Sequence, residues 1–428
     1  MGRLAVLSLY LVFSGKYLHM IEEIRIKNFM SFKDEVVFHF KADKDRSLRH
    51  KQVVEVSPKT ALTRFHLVLG ANASGKSNLL AAILFLRRFW CERKRDAYEP
   101  TGAIPFLLDK ESPREPTEIN LRFYAEDKRY GYSLVLDERQ VLREDLYIYN
   151  SAQPSALFHR VTEEGASVIT LNRNLVRYHQ REIDEISARC LPNMSFFAAR
   201  SEVNCSLMWI DQARDWARGT IMPMTDPREF AVTGMGPLLE RHLGMKEEIL
   251  SLLSRTERDI TDILAERIAS FRREEEPAFR VSIQHTARGS KGIVSSWLPF
   301  QRESEGVKRM IGLAALLLAS LKKESVLCLD GIEQSLHPDL IELFLERFLA
   351  TPEKSQLIVA THYDPLLNNV DELFRKDAVW FTEKGKDGAS RLYPLLDFNK
   401  LNKIPNLQKA YRKGLFGALP EIQDRRTS

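Results

Sequence analysis

The stretch Gly70-Ala71-Asn72-Ala73-Ser74-Gly75-Lys76-Ser77 satisfies the pattern G-x-x-x-x-G-K-[ST]. Phe65-His66-Leu67-Val68-Leu69 before it has the short apolar run of a buried strand. Leu79, Leu80, Ile83, Leu84 and Phe85 after it recur at helical spacing. Strand, glycine loop and helix are the context this motif needs. The glycines let backbone N–H groups curl around phosphate, and the helix N-terminus adds a positive dipole end. Gly70 to Ser77, with Asn78 behind them, are therefore the candidate cradle. Lys76 is placed to reach the β- and γ-phosphates, and Ser77 to ligate Mg²⁺ through its hydroxyl.

Further along, Val326-Leu327-Cys328-Leu329 ends in Asp330, the form of a Walker B aspartate that holds Mg²⁺ through its water shell. Its strand is expected directly beside the loop strand. Gln356 to Ala360 is a second such run, ending in Thr361-His362. Short apolar runs closed by a polar residue are what parallel strands look like when their carboxyl ends deliver chemistry. Ser304-Glu305-Gly306 precedes a long apolar helix, Val307 to Leu321. Ser304 also suits an ordinary helix N-cap and His362 a strand-end cap. Phosphate loop, Ser-x-Gly, Asp-ended strand and His follow in an order that a simple GTPase or kinase does not supply.

The rest of the chain organises around these segments. Ile24, Ile26, Val36, Phe38 and Phe40 alternate with polar residues on either side of Asn28-Phe29-Met30-Ser31-Phe32, which predicts an N-terminal hairpin. Alternation returns between Pro116 and Tyr149, with Asp127-Lys128-Arg129 as a turn. From Ser151 the text becomes polar, and Met245 to Phe271 places Ile249, Leu252, Leu253, Ile260, Ile263 and Leu264 on one helical face. The expected organisation is an extension over 1–19, the N-terminal part of the nucleotide domain over 20–150, an inserted, mostly helical lobe over 151–285, and the C-terminal part over 286–428.

Composition sets the limits. The 428 residues are 44% hydrophobic and 28% charged, and 63 basic against 58 acidic residues leave a net charge of +5. Collagen, disordered tails and disulfide miniproteins are excluded. Four dispersed cysteines, Cys91, Cys190, Cys205 and Cys328, form no C-x-x-C pair and suit a reducing cytoplasm. Met1 to Tyr17 imitates a signal peptide, but Met20 opens a plausible first strand, so an upstream start is the competing reading. No stretch reaches the ~18 apolar residues of a membrane span. Arg87-Arg88, Arg93-Lys94-Arg95 and Lys322-Lys323 read first as solvated helix faces. Tyr147, Tyr149, Trp209 and Trp216 read first as core or interface.

These segments resemble the ATP-binding cassette (ABC) type ATPases, an α/β P-loop fold with a mixed sheet. The similarity is to the SMC-like and OLD-like branch that includes bacterial abortive-infection and restriction-linked AAA-type ATP-binding proteins. It rests on Ile24-Arg25-Ile26-Lys27-Asn28-Phe29, the Gly70 to Asn78 loop, Glu303-Ser304-Glu305-Gly306, Leu329-Asp330 with Ser335-Leu336-His337-Pro338, Ala360-Thr361-His362, and Tyr411 to Pro420. The resemblance implies that Ser304 and Gly306 form a signature loop binding the γ-phosphate of ATP held by a partner subunit, in a head-to-tail homodimer with two composite sites. It also implies that Ser335, Leu336 and His337 cross the dimer interface and that His362 is a switch histidine. The family usually places glutamate after the Walker B aspartate to polarise water. Here Gly331 stands there, and Glu333 substitutes only if the loop is rearranged. The resemblance thus implies either a slow MgATP hydrolase gating a separate effector in phage defence or a non-hydrolysing dimerisation switch. A DNA-repair ATPase is the weaker alternative. No heptad array and no paired-carboxylate nuclease motif accompanies the loop, so a nuclease, if one acts, is expected on another chain. Nucleic acid is implied by family more than by residues.

Overall fold

The computed structural model describes residues 18–223, 226–242, 244–255, 257–268, 278–290, 292–334 and 336–420. Ser335, Arg272 to Glu276 and the segment Met1 to Tyr17 lie outside them. The described residues divide into two compact units. One comprises 18–222, 324–331 and 354–420, and the other 223–323 and 332–353.

In the first unit the strand Phe65–Leu69 is buried throughout and sits centrally in a five-stranded sheet. The order is Val326–Asp330, Gln356–Thr361, Phe65–Leu69, Val379–Lys384, Ser390–Pro394. The first four strands are parallel and the last is antiparallel. Near-continuous apolar runs such as Leu357-Ile358-Val359-Ala360 reflect burial on both faces of a parallel sheet. The Asp330 strand is not beside the loop strand as expected, because Gln356–Thr361 lies between them. Leu69 is level with Thr361, and Asp330 with Ala360.

The expected hairpin is present, with Met20–Lys27 paired to Val36–His39. It forms one edge of a seven-stranded antiparallel sheet continued by Thr117–Ala125, Lys128–Leu136, Val141–Ile148, Ser155–Glu163 and Ala166–Leu171. The helix Lys76–Cys91 carries a large part of the shared core. Its Trp90 lies 4.5 Å from the rings of both Tyr132 and Phe197, and Phe123 stacks on Trp216 at 4.1 Å. Trp216 is therefore core. Arg87, expected on a solvated face, is buried in this layer and donates from Nε to the Ile221 carbonyl at 2.8 Å, and burial pulls its pKa down.

Strands occupy two parts of the lobe expected to be mostly helical. Ser155–Glu163 and Ala166–Leu171 pair through a tight turn in which Glu164 and Gly165 both have positive φ (48° and 79°), the geometry that joins neighbouring strands. In the second unit the helix expected from Met245 to Phe271 stops at Leu253, and Ile260–Ile268 is a strand. A bulge between Ile260 and Asp262 shifts the register, so that buried Ile260 and Ile263 fall three residues apart. A strand with that bulge imitates helical spacing. Ile260–Ile268, Ala278–Gly289 and Gly292–Pro299 make a three-stranded antiparallel sheet. Beside it lie the helices Pro227–Thr233, Met235–Arg241, Met245–Leu253, Glu305–Lys323 and Pro338–Ala350. Gly312 lets the helix Glu305–Lys323 approach closely, since a Cβ there would come within 1.8 Å of the Pro227 carbonyl oxygen.

Candidate nucleotide site

The loop after Phe65–Leu69 has the backbone of a phosphate cradle. Ala73 and Gly75 take positive φ (61° and 111°), turning successive N–H groups inward before the helix starts at Lys76. A Cβ on Gly70 would sit 2.4 Å from the Thr382 carbonyl oxygen, and one on Gly75 would sit 2.5 Å from Ser390 Oγ. Only glycine fits at either place. Lys76 folds back, its Nζ donating to the carbonyls of Gly70 at 2.9 Å and Ala71 at 2.7 Å. Ser77 is exposed at the first turn, with Asn72 and Ala73 exposed along the rim. A triphosphate fits this arrangement: a glycine-lined cradle, an ammonium already inside it, and an exposed hydroxyl for the metal.

Side chains from elsewhere brace the loop. Ser74 Oγ and Thr382 Oγ1 are 2.6 Å apart. Asn78 Nδ2 donates to Ser31 Oγ at 2.6 Å, Ser390 Oγ donates to the same oxygen at 2.8 Å, and the Ser390 N–H donates to the Ser31 carbonyl. The Ala71 N–H donates to the Ala418 carbonyl. Ser31, Thr382, Ser390 and Ala418 were not singled out as site residues from sequence. Thr382 and Ser390 lie in strands without a motif. Ser31 lies in the connection of the expected hairpin, and Ala418 in the Tyr411 to Pro420 segment that carries part of the resemblance, neither of them read as a contact of the loop.

Asp330 closes its strand half-buried, two strands from the loop strand, on the order of 10 Å by ordinary strand spacing. That separation suits a carboxylate acting through metal-bound water. Among the described residues no group of three His, Cys, Asp or Glu side chains is placed to hold a metal. Magnesium held here would rest on Ser77, on phosphate oxygens and, through water, on Asp330, the usual pattern for this hard, strongly hydrated ion. Cys328 in the same strand is fully buried, which pushes its thiol up to about 12 and leaves it inert. Gly331 follows with φ 65°, a left-handed backbone, its N–H donating to the Ala360 carbonyl at 2.8 Å. His362 is exposed beyond Thr361, whose Oγ1 accepts the Tyr363 N–H at 3.0 Å. The strand order makes Thr361-His362 the immediate neighbour of the loop strand.

The remaining expected residues belong to the second unit. Ser304 caps the helix Glu305–Lys323, its Oγ accepting the Val307 N–H at 3.2 Å and its carbonyl the Lys308 N–H at 2.9 Å. Gly306 is in the first turn of that helix. His337 caps Pro338–Ala350 through Nδ1 and is exposed, with Leu336 before it. Glu333 is half-buried and its charge acts on Arg309. The basic clusters are engaged locally: Arg93 with Glu202 at 2.7 Å, Lys94 with the Pro100 carbonyl, Lys322 with Glu248 at 3.5 Å. Trp209 lies under Lys128 and Tyr149 under Arg129.

The strand, glycine loop and helix, with the braced lysine, define a P-loop ATPase domain. The family described as "AAA domain, putative AbiEii toxin, Type IV TA system" matches residues 65–174 and 243–368, more than half of the chain, and the chain belongs to that family. No curated protein matches it. Among solved structures it is similar to an SMC head bound to the C-winged helix domain of ScpA, at 16% identity over 90% of this chain and 99% of that one, TM-score 0.49. It is also similar to an SMC head domain from Thermotoga maritima, at 16% identity over 87% and 98%, TM-score 0.39. A third is an SMC head domain with an extended coiled coil, bound to the C-terminal domain of ScpA from Pyrococcus furiosus, at 14% identity over 92% and 98%, TM-score 0.43. The assignment rests on the family match and the loop geometry. Among the described residues no helix is long and apolar enough to cross a membrane.

Proposed function

We propose that the protein binds MgATP in the Gly70–Asn78 loop and closes, head to tail, on a second copy that supplies Ser304 and Gly306. The clamped dimer then controls a separate effector protein in cytoplasmic phage defence. The observation that carries this reading is the preformed cradle with Lys76 inside it, on a chain whose family description names a toxin of a type IV system. ATP and Mg²⁺ would supply the charge that Lys76, the loop N–H groups and the partner's signature helix N-terminus recognise together. His362 would report the γ-phosphate from the strand beside the loop.

A second reading, a nucleotide-locked switch that hydrolyses little, is favoured by the φ of 65° at Gly331. The position that would carry the water-polarising glutamate has a backbone made for glycine, and glycine offers no acceptor. The two readings part in one experiment: single-turnover ATP hydrolysis beside light scattering with Mg²⁺, for wild type, Lys76→Ala and Gly331→Glu. Turnover in the wild type that glutamate does not raise makes it a working ATPase. ATP-driven dimers without turnover make it a switch. Nucleotide binding by Lys76→Ala equal to wild type would overturn both.

A further inference from the structure

Within the second unit, His285 lies between two carboxylates. Its Nδ1 is 2.7 Å from Asp259 Oδ2 and its Nε2 is 2.8 Å from Glu303 Oε1. A neutral imidazole has one N–H and one acceptor nitrogen, so it can satisfy one carboxylate only. Both contacts are made when the ring carries two protons, as imidazolium, and each is then a charge-assisted hydrogen bond. Burial of Glu303, whose side chain is 5% exposed, removes the water that would otherwise replace His285.

The three residues come from three places. Asp259 precedes the strand Ile260–Ile268, and its carbonyl accepts the Thr286 N–H at 2.7 Å. His285 lies on Ala278–Gly289, opposite Ile260. Glu303 ends the turn Phe300–Arg302 and immediately precedes Ser304, which caps the helix Glu305–Lys323. The bridge therefore ties the sheet to the residue next to the expected γ-phosphate contact.

We propose that His285 is a positioning residue for Ser304: as an imidazolium joining Asp259 to Glu303 it pins the turn that presents Ser304 and Gly306, so ATP-driven pairing of subunits depends on the proton it carries. This rests on the reading of Ser304 and Gly306 as the signature loop. The titratable groups facing the ring are Asp259, Glu303 and Glu257, all acidic. Burial works to lower the pKa of His285, but the hydrogen bonds to Asp259 and Glu303 outweigh it and leave it raised above its ordinary value. The brace is therefore complete below the ordinary histidine range and is lost as pH rises through the elevated value.

The test has two arms. In the first, without nucleotide, the histidine ring signals of the full chain are titrated by NMR, with His285→Gln to assign the resonance. The expected result is a His285 titration above about 6.5 that falls in Glu303→Gln. A titration at or below that value, unmoved by Glu303→Gln, overturns the brace whatever ATP does. In the second, ATP-driven dimerisation is followed from pH 6 to 9 beside binding of a fluorescent ATP analogue to the monomer. Wild type should lose dimerisation about tenfold or more across the titration, while His285→Gln is weak and flat with pH and analogue binding is unchanged in both. A His285→Gln profile parallel to wild type would overturn the proposal. Failure of the wild type to dimerise at any pH, with the NMR arm as expected, would instead overturn the composite site and, with it, the role given to the brace.

Discussion

The backbone N–H of Ala71 donates to the carbonyl of Ala418 at 3.1 Å, joining the second residue of the phosphate loop to the C-terminal segment. That segment is tightly constrained. Gly417 and Ala418 both take positive φ (63° and 57°), Tyr411 Oη donates to the Ala418 carbonyl at 2.8 Å, and the Ala418 N–H donates to Glu383 Oε1 at 3.1 Å. The phenol of Tyr411 is raised to about 12 by burial, so it remains a donor at neutral pH. Tyr411→Phe removes one hydrogen bond from the carbonyl that holds Ala71, an expected loss of about 1 kcal/mol. Ala418→Val places a β-branched residue at φ 57° and should cost more, whereas Ala418→Gly relieves the strain. Thermal melts rank the three variants. A fluorescent nucleotide should show affinity weakening in the order Gly, Phe, Val, and an unchanged affinity in Ala418→Val would detach the tail from the loop's function.

Lys76→Ala should leave the fold intact, because the carbonyls of Gly70 and Ala71 that accept from its Nζ belong to the loop itself and the helix behind is anchored by buried Leu79 and Leu80. Its effect is on phosphate. Losing one preorganised cationic donor is expected to weaken MgATP binding by about a hundredfold or more. Isothermal titration beside circular dichroism separates the two consequences.

Gly331 can be probed without chemistry. Gly331→Ala forces a Cβ into φ 65° and should cost about 1 kcal/mol, with no new acceptor gained. Gly331→Asn should be tolerated better, since asparagine visits this region. Gly331→Glu carries the same backbone penalty as alanine, so any gain in hydrolysis has to be judged against its melting temperature. A Gly331→Ala protein as stable as wild type would mean that the backbone readjusts and that the position is not reserved for glycine.

The central sheet and the cradle were legible because their signals are local. Phe65–Leu69, the glycines and the helix after them form one continuous segment, and the short apolar runs before Asp330 and Thr361 announce buried parallel strands. The order of those strands was not legible, since it depends on which carboxyl ends pair across long sequence separations. The same holds for Thr382, whose contact with the loop spans 308 residues, and for Ser390, which reaches the loop through Ser31 359 residues away. One helix was misread and one hairpin went unnoticed, each for a definite reason. The bulge at Ile260 imitated helical spacing, while Glu164-Gly165 was a hairpin signal hidden in polar text.

Arg160 and Glu144 offer the sharpest stability test, away from the nucleotide. Both side chains are fully buried, 2.8 Å apart, and Arg160 also donates to the carbonyls of Leu191, Pro192 and Met194. Glu144 further accepts from Tyr132 Oη and the Phe196 N–H. Burial pushes the carboxyl of Glu144 up in spite of these partners. Arg160→Met strands a buried carboxylate and three carbonyl contacts, an expected loss of about 3–5 kcal/mol. Adding Glu144→Gln should recover part of that loss, because a neutral amide costs less to bury than an unpaired charge. Urea denaturation of the single and double variants reads the difference directly. If the double variant is less stable than Arg160→Met by the full cost of Glu144→Gln alone, the two residues act independently and the pair is not what holds the helix Phe196–Arg200 against the antiparallel sheet.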